Sequence, residues 1–436
     1  MKLAGRVASA ALALALVTAA AVAPRTALAA SPLFGTPTVS APLGEDVTFA
    51  SQISGDDIAA VDVLVRLVGF APNVVLSAQP GPDVDTWQVS QPLNIPGSVG
   101  CACVIRGQSP PNTHFEFQFR VRAADGTLTL GPVAQGVVED SRFNWRTLDQ
   151  GLVSVHWYAG DDAFARTAAD LANDAIDKAA ELLGTTLPAP VDLFVYDTQQ
   201  ALLEAVSPNR ENIAGEAHND IRTMFVWLEG DLGIDGFAAE VVRHELTHLV
   251  FHAATQNPYH GPPLWLNEGV AVYLSAGYSA ADRGAVEGAA ATGALIPLDG
   301  IAAYFPAPPD QFFLAYAESV SAVDFFVRTY GEPDLWDLVR SYSHGMTDDA
   351  AFSAATGADA DAFNSAWFES LGATVPEPLG PQPGPTGHVP PDWAPGGATP
   401  GPTLAPGQTP PTPRPSATPR PGTGPGVVDG VMRVLT

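Results

Sequence analysis

The chain has 436 residues, room for roughly two or three domains, and its 46% hydrophobic content suits a protein that buries a core. Its net charge is -27, from 20 basic and 47 acidic residues, with no cluster of Lys and Arg. Phosphate binding needs such a cluster, so nucleic acid is excluded as a partner and docking on anionic lipid is disfavoured.

Residues 1–29 read as a secretory signal peptide. Lys2 and Arg6 supply the positive end, residues 7–22 are almost wholly apolar and alanine-rich, and Ala27-Leu28-Ala29 offers the small-residue cleavage pattern. The apolar run is short for a spanning helix of about 20 residues. The expectation is a secreted, extracytoplasmic protein with no transmembrane segment after cleavage.

Residues 31–140 carry strand patterning. Val61, Val63, Val65 and Leu67 alternate with other residues, as do Phe115, Phe117, Phe119 and Val121. Asp125-Gly126 then separates the second run from Thr127-Leu128-Thr129-Leu130, a hairpin signal. The segment is expected to be a β-sandwich-like accessory module without a catalytic cluster. Cys101 and Cys103, the two cysteines of the chain, are separated by one residue. That spacing strains a disulfide, and two soft ligands alone make a poor metal site, so a local structural pair is expected.

From 143 to 372 the pattern is α+β. Residues 152–158, 191–196 and 223–228 read as strands, and Asp161 or Asp162 is placed to cap a helix running to about residue 183. Helical spacing dominates from 237 to about 371. Residues 373–436 are rich in Pro, Gly and Thr, and a segment so poor in large apolar groups cannot offset its ordering entropy by burial. An extended, disordered tail is expected there, and cell-envelope association would run through this tail or the β-module.

The chemistry concentrates in His244-Glu245-Leu246-Thr247-His248. On a helix, residues four apart share a face, so His244 and His248 can present two imidazoles to one ion while Glu245 acts on a water there. A histidine six residues after the second, with a glycine three after it, would define one subclass; those positions hold Ala254 and Phe251. His252 lies about 12 Å along a straight helix from His244 and cannot share its ion. Further on, Trp265-Leu266-Asn267-Glu268-Gly269 places a carboxylate 20 residues past His248, inside an otherwise apolar run. Glu268 would complete a His, His, Glu set with an open fourth position, the requirement of a catalytic zinc.

These strings together resemble the gluzincin metallopeptidases, most closely the peptidase MA-like group, over roughly residues 150–370. The resemblance implies a zincin-like catalytic domain, a single Zn2+ held by His244, His248 and Glu268, Glu245 as general base, and a peptide or protein substrate. The Trp-Leu-Asn-Glu-Gly string is also similar to that of gluzincin aminopeptidases, but their Gly-x-Met-Glu-Asn loop has no counterpart beyond a loose one at 225–229. The acid that thermolysin-like enzymes place four residues after the third ligand is Val272 here. Tyr316, in an apolar helical segment, is similar to a metal-facing tyrosine of related enzymes, and either donates to a developing oxyanion or is a core tyrosine. Tyr330 and His260 are weaker candidates for that task, and 223–228 is a candidate edge strand for an extended peptide. Two other readings stay open: a zinc hydrolase of a non-peptide amide or ester, and a cell-envelope binding protein with a vestigial metal site.

Overall fold

The computed structural model describes residues 31–70, 74–95, 109–206, 214–228 and 236–376. Residues 1–30, where a signal peptide is expected, Cys101, Cys103 and residues 377–436 lie outside these. The described residues form two compact units, the first comprising 31–41, 45–95 and 114–136, the second 42–44, 109–113 and 137–376.

The first unit contains β1 (Leu33–Phe34), β2 (Thr38–Ser40), β3 (Val47–Ser54), β4 (Ile58–Leu67), β5 (Val74–Pro80), β6 (Thr86–Gln91), β7 (His114–Ala123) and most of β8 (Leu128–Val137). Their order is β1-β3-β6-β5-β4-β7-β8, with β2 beside β3. The alternating residues of β4 and β7 all point inward: Val61, Val63, Val65, Phe115, Phe117 and Phe119 are buried. The sheet is continuous and folds back on itself, giving the two facing layers of the sandwich-like module that the patterning suggested; β5 and β6 pair only at Gln79 with Gln88 and Pro80 with Trp87. Phe49 of β3 thereby packs on Phe117 of β7 at 5.0 Å between ring centroids, although the two strands are far apart in sheet order. Thr127 N donates to Asp125 Oδ1 at 2.8 Å in the turn between β7 and β8, the hairpin anticipated from Asp-Gly.

The second unit opens on a five-stranded sheet. β9 (Arg146–Gln150) pairs antiparallel with β10 (Val153–Trp157), and α1 (Asp162–Leu183) carries the chain over to β11 (Val191–Tyr196), parallel to β10. Asp161 caps α1, accepting from Ala163 N and Phe164 N, both at 2.9 Å. After α2 (Gln199–Val206) come β12 (Gly215–His218) and β13 (Thr223–Trp227), in the order β12-β13-β11-β10-β9. The reading of 223–228 as an edge strand needs correction. Its backbone is taken on one side by β11 and on the other by β12, so among the described residues the edge on that side belongs to β12.

The rest of the unit is helical: α3 (Phe237–Thr255), α4 (Leu264–Ser275), α5 (Ala280–Thr292), α6 (Pro309–Tyr330), α7 (Glu332–Ser341), α8 (Asp348–Thr356) and α9 (Ala360–Ser370). α4 is buried along most of its length. Trp265 anchors it by stacking on Phe363 of α9, 6.0 Å between centroids and 10° between planes. Gly269 lets α4 meet α6 at close range: a Cβ there would stand 2.5 Å from Ser319 O and 2.8 Å from Val323 Cγ2. Gly269→Ala is therefore expected to destabilise the protein by about 1–3 kcal/mol through overpacking, despite alanine's better helix propensity. Denaturant unfolding checks this; an unchanged midpoint would mean that the two helices separate without cost. Among the described residues, no helix is long and apolar enough to cross a membrane.

Candidate metal centre

α3 runs through the core of the second unit, so its polar motif is buried with it. His244 is fully buried, Glu245 is 2% exposed and His248 9%. The loop after α3 returns the chain into α4, whose Glu268 arrives against both imidazoles. Nε2 of His244 and of His248 are 3.1 Å apart, and Glu268 Oε2 lies 3.3 Å from the first and 3.4 Å from the second. Among the described residues, His244, His248 and Glu268 are the group of three or more His, Cys, Asp and Glu able to hold a metal ion.

These separations fit a zinc ion. Ligand atoms about 2.0–2.1 Å from a tetrahedral zinc stand roughly 3.3–3.4 Å from one another. The buried atoms are also poorly satisfied without one: among the described residues Glu268 Oε2 and His244 Nδ1 have no hydrogen-bond partner. The electrostatics ask for a cation at the same point. Burial pushes the His244 pKa down, which keeps its imidazole neutral and able to offer a lone pair. Burial works the same way on His248, but the Glu268 carboxylate beside it prevails and raises it to about 9. Glu268 would be raised by burial, yet His248 and His244 hold it well below the usual carboxylate range. The ionised carboxylate thus draws a proton onto His248 where a divalent cation would serve all three groups.

Glu245 sits beside this triangle. Burial, with Glu268 and Glu216 adding repulsion, pushes its carboxyl up to about 8, and Oε1 has no hydrogen-bond partner among the described residues. Its stem is held by β12: a Cβ on Gly215 would stand 2.8 Å from Glu245 Cγ and 2.9 Å from Val241 Cγ1. Only glycine allows the strand so close to α3. Sequence reasoning missed β12 altogether, and this glycine was the signal available.

A residue that supports the ligands is Asn267, named in the motif without a role. Its Oδ1 lies 3.0 Å from His248 Nδ1. Accepting from Nδ1–H, it leaves the Nε2 lone pair facing His244 and Glu268. Asn267→Ala is expected to weaken zinc binding by about 10–100-fold with the ligand set intact, measured by competition with a chromophoric chelator. Unchanged affinity would show that helix packing alone fixes the ring.

Tyr316 of α6 comes near the group, its ring centroid 6.4 Å from that of His244, and it is flanked by Phe305 at 4.9 Å and Phe312 at 5.3 Å. The weaker candidates are engaged elsewhere. His260 Nε2 lies 3.0 Å from Asp348 Oδ1, and Tyr330 packs on Phe326 at 5.0 Å. His252, in the last turn of α3, stays outside the ligand group, as the helix rise requires.

Residues 171–373, from within α1 to just past α9, match the family model of the Peptidase MA superfamily, which supports the gluzincin resemblance read from the motifs. No curated protein matches the chain. Among solved structures, the M1 zinc metallopeptidase from Deinococcus radiodurans is similar at 14% identity, covering 78% of this chain and 94% of that one, with a TM-score of 0.38. A mutant of the same enzyme gives 15% identity, 80% and 95% coverage, and 0.39. CopC from Methylosinus trichosporium OB3b is similar at 11% identity over 26% of this chain and 96% of that one, with a TM-score of 0.17.

Proposed function

With residues 171–373 matching the peptidase MA superfamily, we propose that this chain is a secreted zinc-dependent peptidase that hydrolyses peptide bonds with Glu245 as general base. The observation that carries the reading is the triangle of His244, His248 and Glu268, with ligand atoms 3.1–3.4 Å apart and, beside it, a buried carboxylate oxygen of Glu245 that has no hydrogen-bond partner among the described residues. Three protein donors leave a tetrahedral site one position short, the arrangement of a catalytic rather than a structural zinc. Zinc bound there supplies a Lewis acid and acidifies water.

The remaining chemistry belongs to the side chains. Glu245 takes a proton from the attacking water and returns it to the leaving amine. Its buried position serves this, since a raised pKa makes the protonated intermediate form of the carboxyl accessible near neutrality. Tyr316 donates a hydrogen bond to the oxyanion as it develops. The free edge of β12 offers main-chain groups on which an extended peptide lies as an added strand, next to Glu245. Secretion rests on the signal-peptide pattern of residues 1–29. An intact general base weighs against a vestigial site, because a purely structural ion has no use for Glu245.

The test is metal analysis of the purified chain, followed by digestion of casein and of a peptide mixture with and without chelator. One equivalent of zinc is expected, with hydrolysis that chelator abolishes and added zinc restores. Cleavage of esters or non-peptide amides in place of peptides would transfer the site to a different hydrolase class. Zinc without any turnover would favour the vestigial site.

A further inference from the structure

A cavity of about 970 Å³ does not contain the ligand triangle but opens one helical turn away from it on three sides. Glu240 stands four residues before His244 on α3, Val272 four residues after Glu268 on α4, and Tyr316 of α6 faces His244. Residues four apart share a helix face, so Glu240, His244 and His248 form one row that leads from the metal centre into the cavity.

The walls differ from their floor. Ala281, Ala285 and Ala289, spaced four apart on α5, make one side wide and apolar, and Leu314 and Phe313 of α6 face the same space. The charged groups of the lining are all acidic: Glu240, Asp282 and Asp310. Asp282 is consumed by the capping box of α5, its Oδ2 accepting from Ser279 N at 3.2 Å and from Ser279 Oγ at 2.6 Å. Glu240 is half-buried and has no hydrogen bond or ion pair among the described residues, and Asp310 stands exposed at the mouth. The walls are pre-set, since Ile296 in the lining is tied to α6 by donating its N–H to Glu318 Oε1 at 3.0 Å.

Resting on the peptidase reading, the geometry points to this cavity as the subsite for a substrate side chain next to the scissile bond, selecting Lys or Arg, with Glu240 as the specificity-determining residue. A long basic side chain suits both features. Its methylene stem loses water against the alanine wall, while its cation reaches a half-buried carboxylate that no group among the described residues neutralises. A net charge of -27 favours the approach of cationic peptides in the same sense. Glu240 touches neither the reacting bond nor the metal in this scheme.

The experiment compares paired peptides, identical except for Lys or its uncharged isostere norleucine at one position. The pair is tested twice: for hydrolysis by the zinc-loaded full chain, and for equilibrium binding to the zinc-loaded full chain carrying Glu245→Gln. The Lys peptide is expected to be preferred by roughly 10–100-fold in kcat/KM and in affinity. Adding Glu240→Gln should erase the preference while leaving norleucine-peptide cleavage within a few-fold, and Glu240→Lys should shift it to a Glu-bearing peptide. Circular dichroism checks that these variants fold. Equal treatment of Lys and norleucine, or a Lys preference that survives Glu240→Gln, overturns the assignment while leaving the peptidase reading intact. Lys-selective binding with no hydrolysis of any peptide keeps the subsite and defeats the peptidase reading.

Discussion

Glu245→Gln is expected to lower peptide hydrolysis by about 10²–10⁴-fold, with the zinc content unchanged. The substitution keeps the size of the side chain, so the close packing of Gly215 against Glu245 Cγ survives. The amide cannot accept the water proton, and the negative charge of the carboxylate is lost with the base. None of the three ligand atoms belongs to this residue, so metal binding has no reason to fall. The pH profile adds a second reading. Burial first, then Glu268 and Glu216, push the carboxyl up to about 8, and a cation bound between the ligands acts in the opposite direction. Glu245 works only when ionised, so kcat/KM should rise with pH across its acid limb, and that limb should vanish in the residual activity of the variant. Retained activity, or an unaltered acid limb, would remove Glu245 from the mechanism.

The second large effect is expected from Glu268→Gln. The only anionic ligand of the set is lost, and zinc affinity should fall by more than the roughly 10–100-fold that loss of a supporting residue produces. Activity at fixed zinc falls with it. Thermal unfolding gives an independent check. Free zinc at about 1,000 times its dissociation constant stabilises a protein by about 4 kcal/mol, so the wild-type midpoint should climb on zinc addition and that of the variant should not.

The metal-free proteins should differ in pH dependence as well. Glu268, against the effect of burial, raises the His248 pKa to about 9. A histidine raised in the folded state contributes stability that is complete below its unfolded pKa of about 6.5 and is lost as pH climbs to the folded value. Wild-type stability should therefore decline between pH 6.5 and about 9 in a way that Glu268→Gln does not share. A zinc-induced rise in the midpoint of Glu268→Gln equal to that of wild type would show that this carboxylate is no ligand.

Much of the site was legible along the chain because helices convert spacing into direction. His244 and His248 share a face of α3 whatever surrounds them, and the rise of the helix excludes His252 on the same ground. Glu268 was legible for a different reason: an acid inside an apolar helix needs a partner to offset its desolvation. Strand alternation likewise announced the inward rows of β4 and β7. What the spacing could not carry was any pairing between separate segments. The strand at 215–218 is four residues long, follows no clear alternation, and exists because β13 and α3 leave room for a strand with glycine at 215. Without it, residues 223–228 looked like an edge.

The same division holds for the whole molecule. The sequence by itself determined which residue types the candidate site holds, the α+β character of the second unit and the β character of the first, since each depends on residues within one element or on its periodicity. Tertiary structure alone decided that the ligand atoms converge to 3.1–3.4 Å, that Asn267 orients His248, and that Glu240 looks into a cavity rather than into water. Those facts depend on how far α4 can approach α6 at Gly269 and β12 can approach α3 at Gly215. Such distances are set by side chains on two segments at once, and no single stretch of chain contains them.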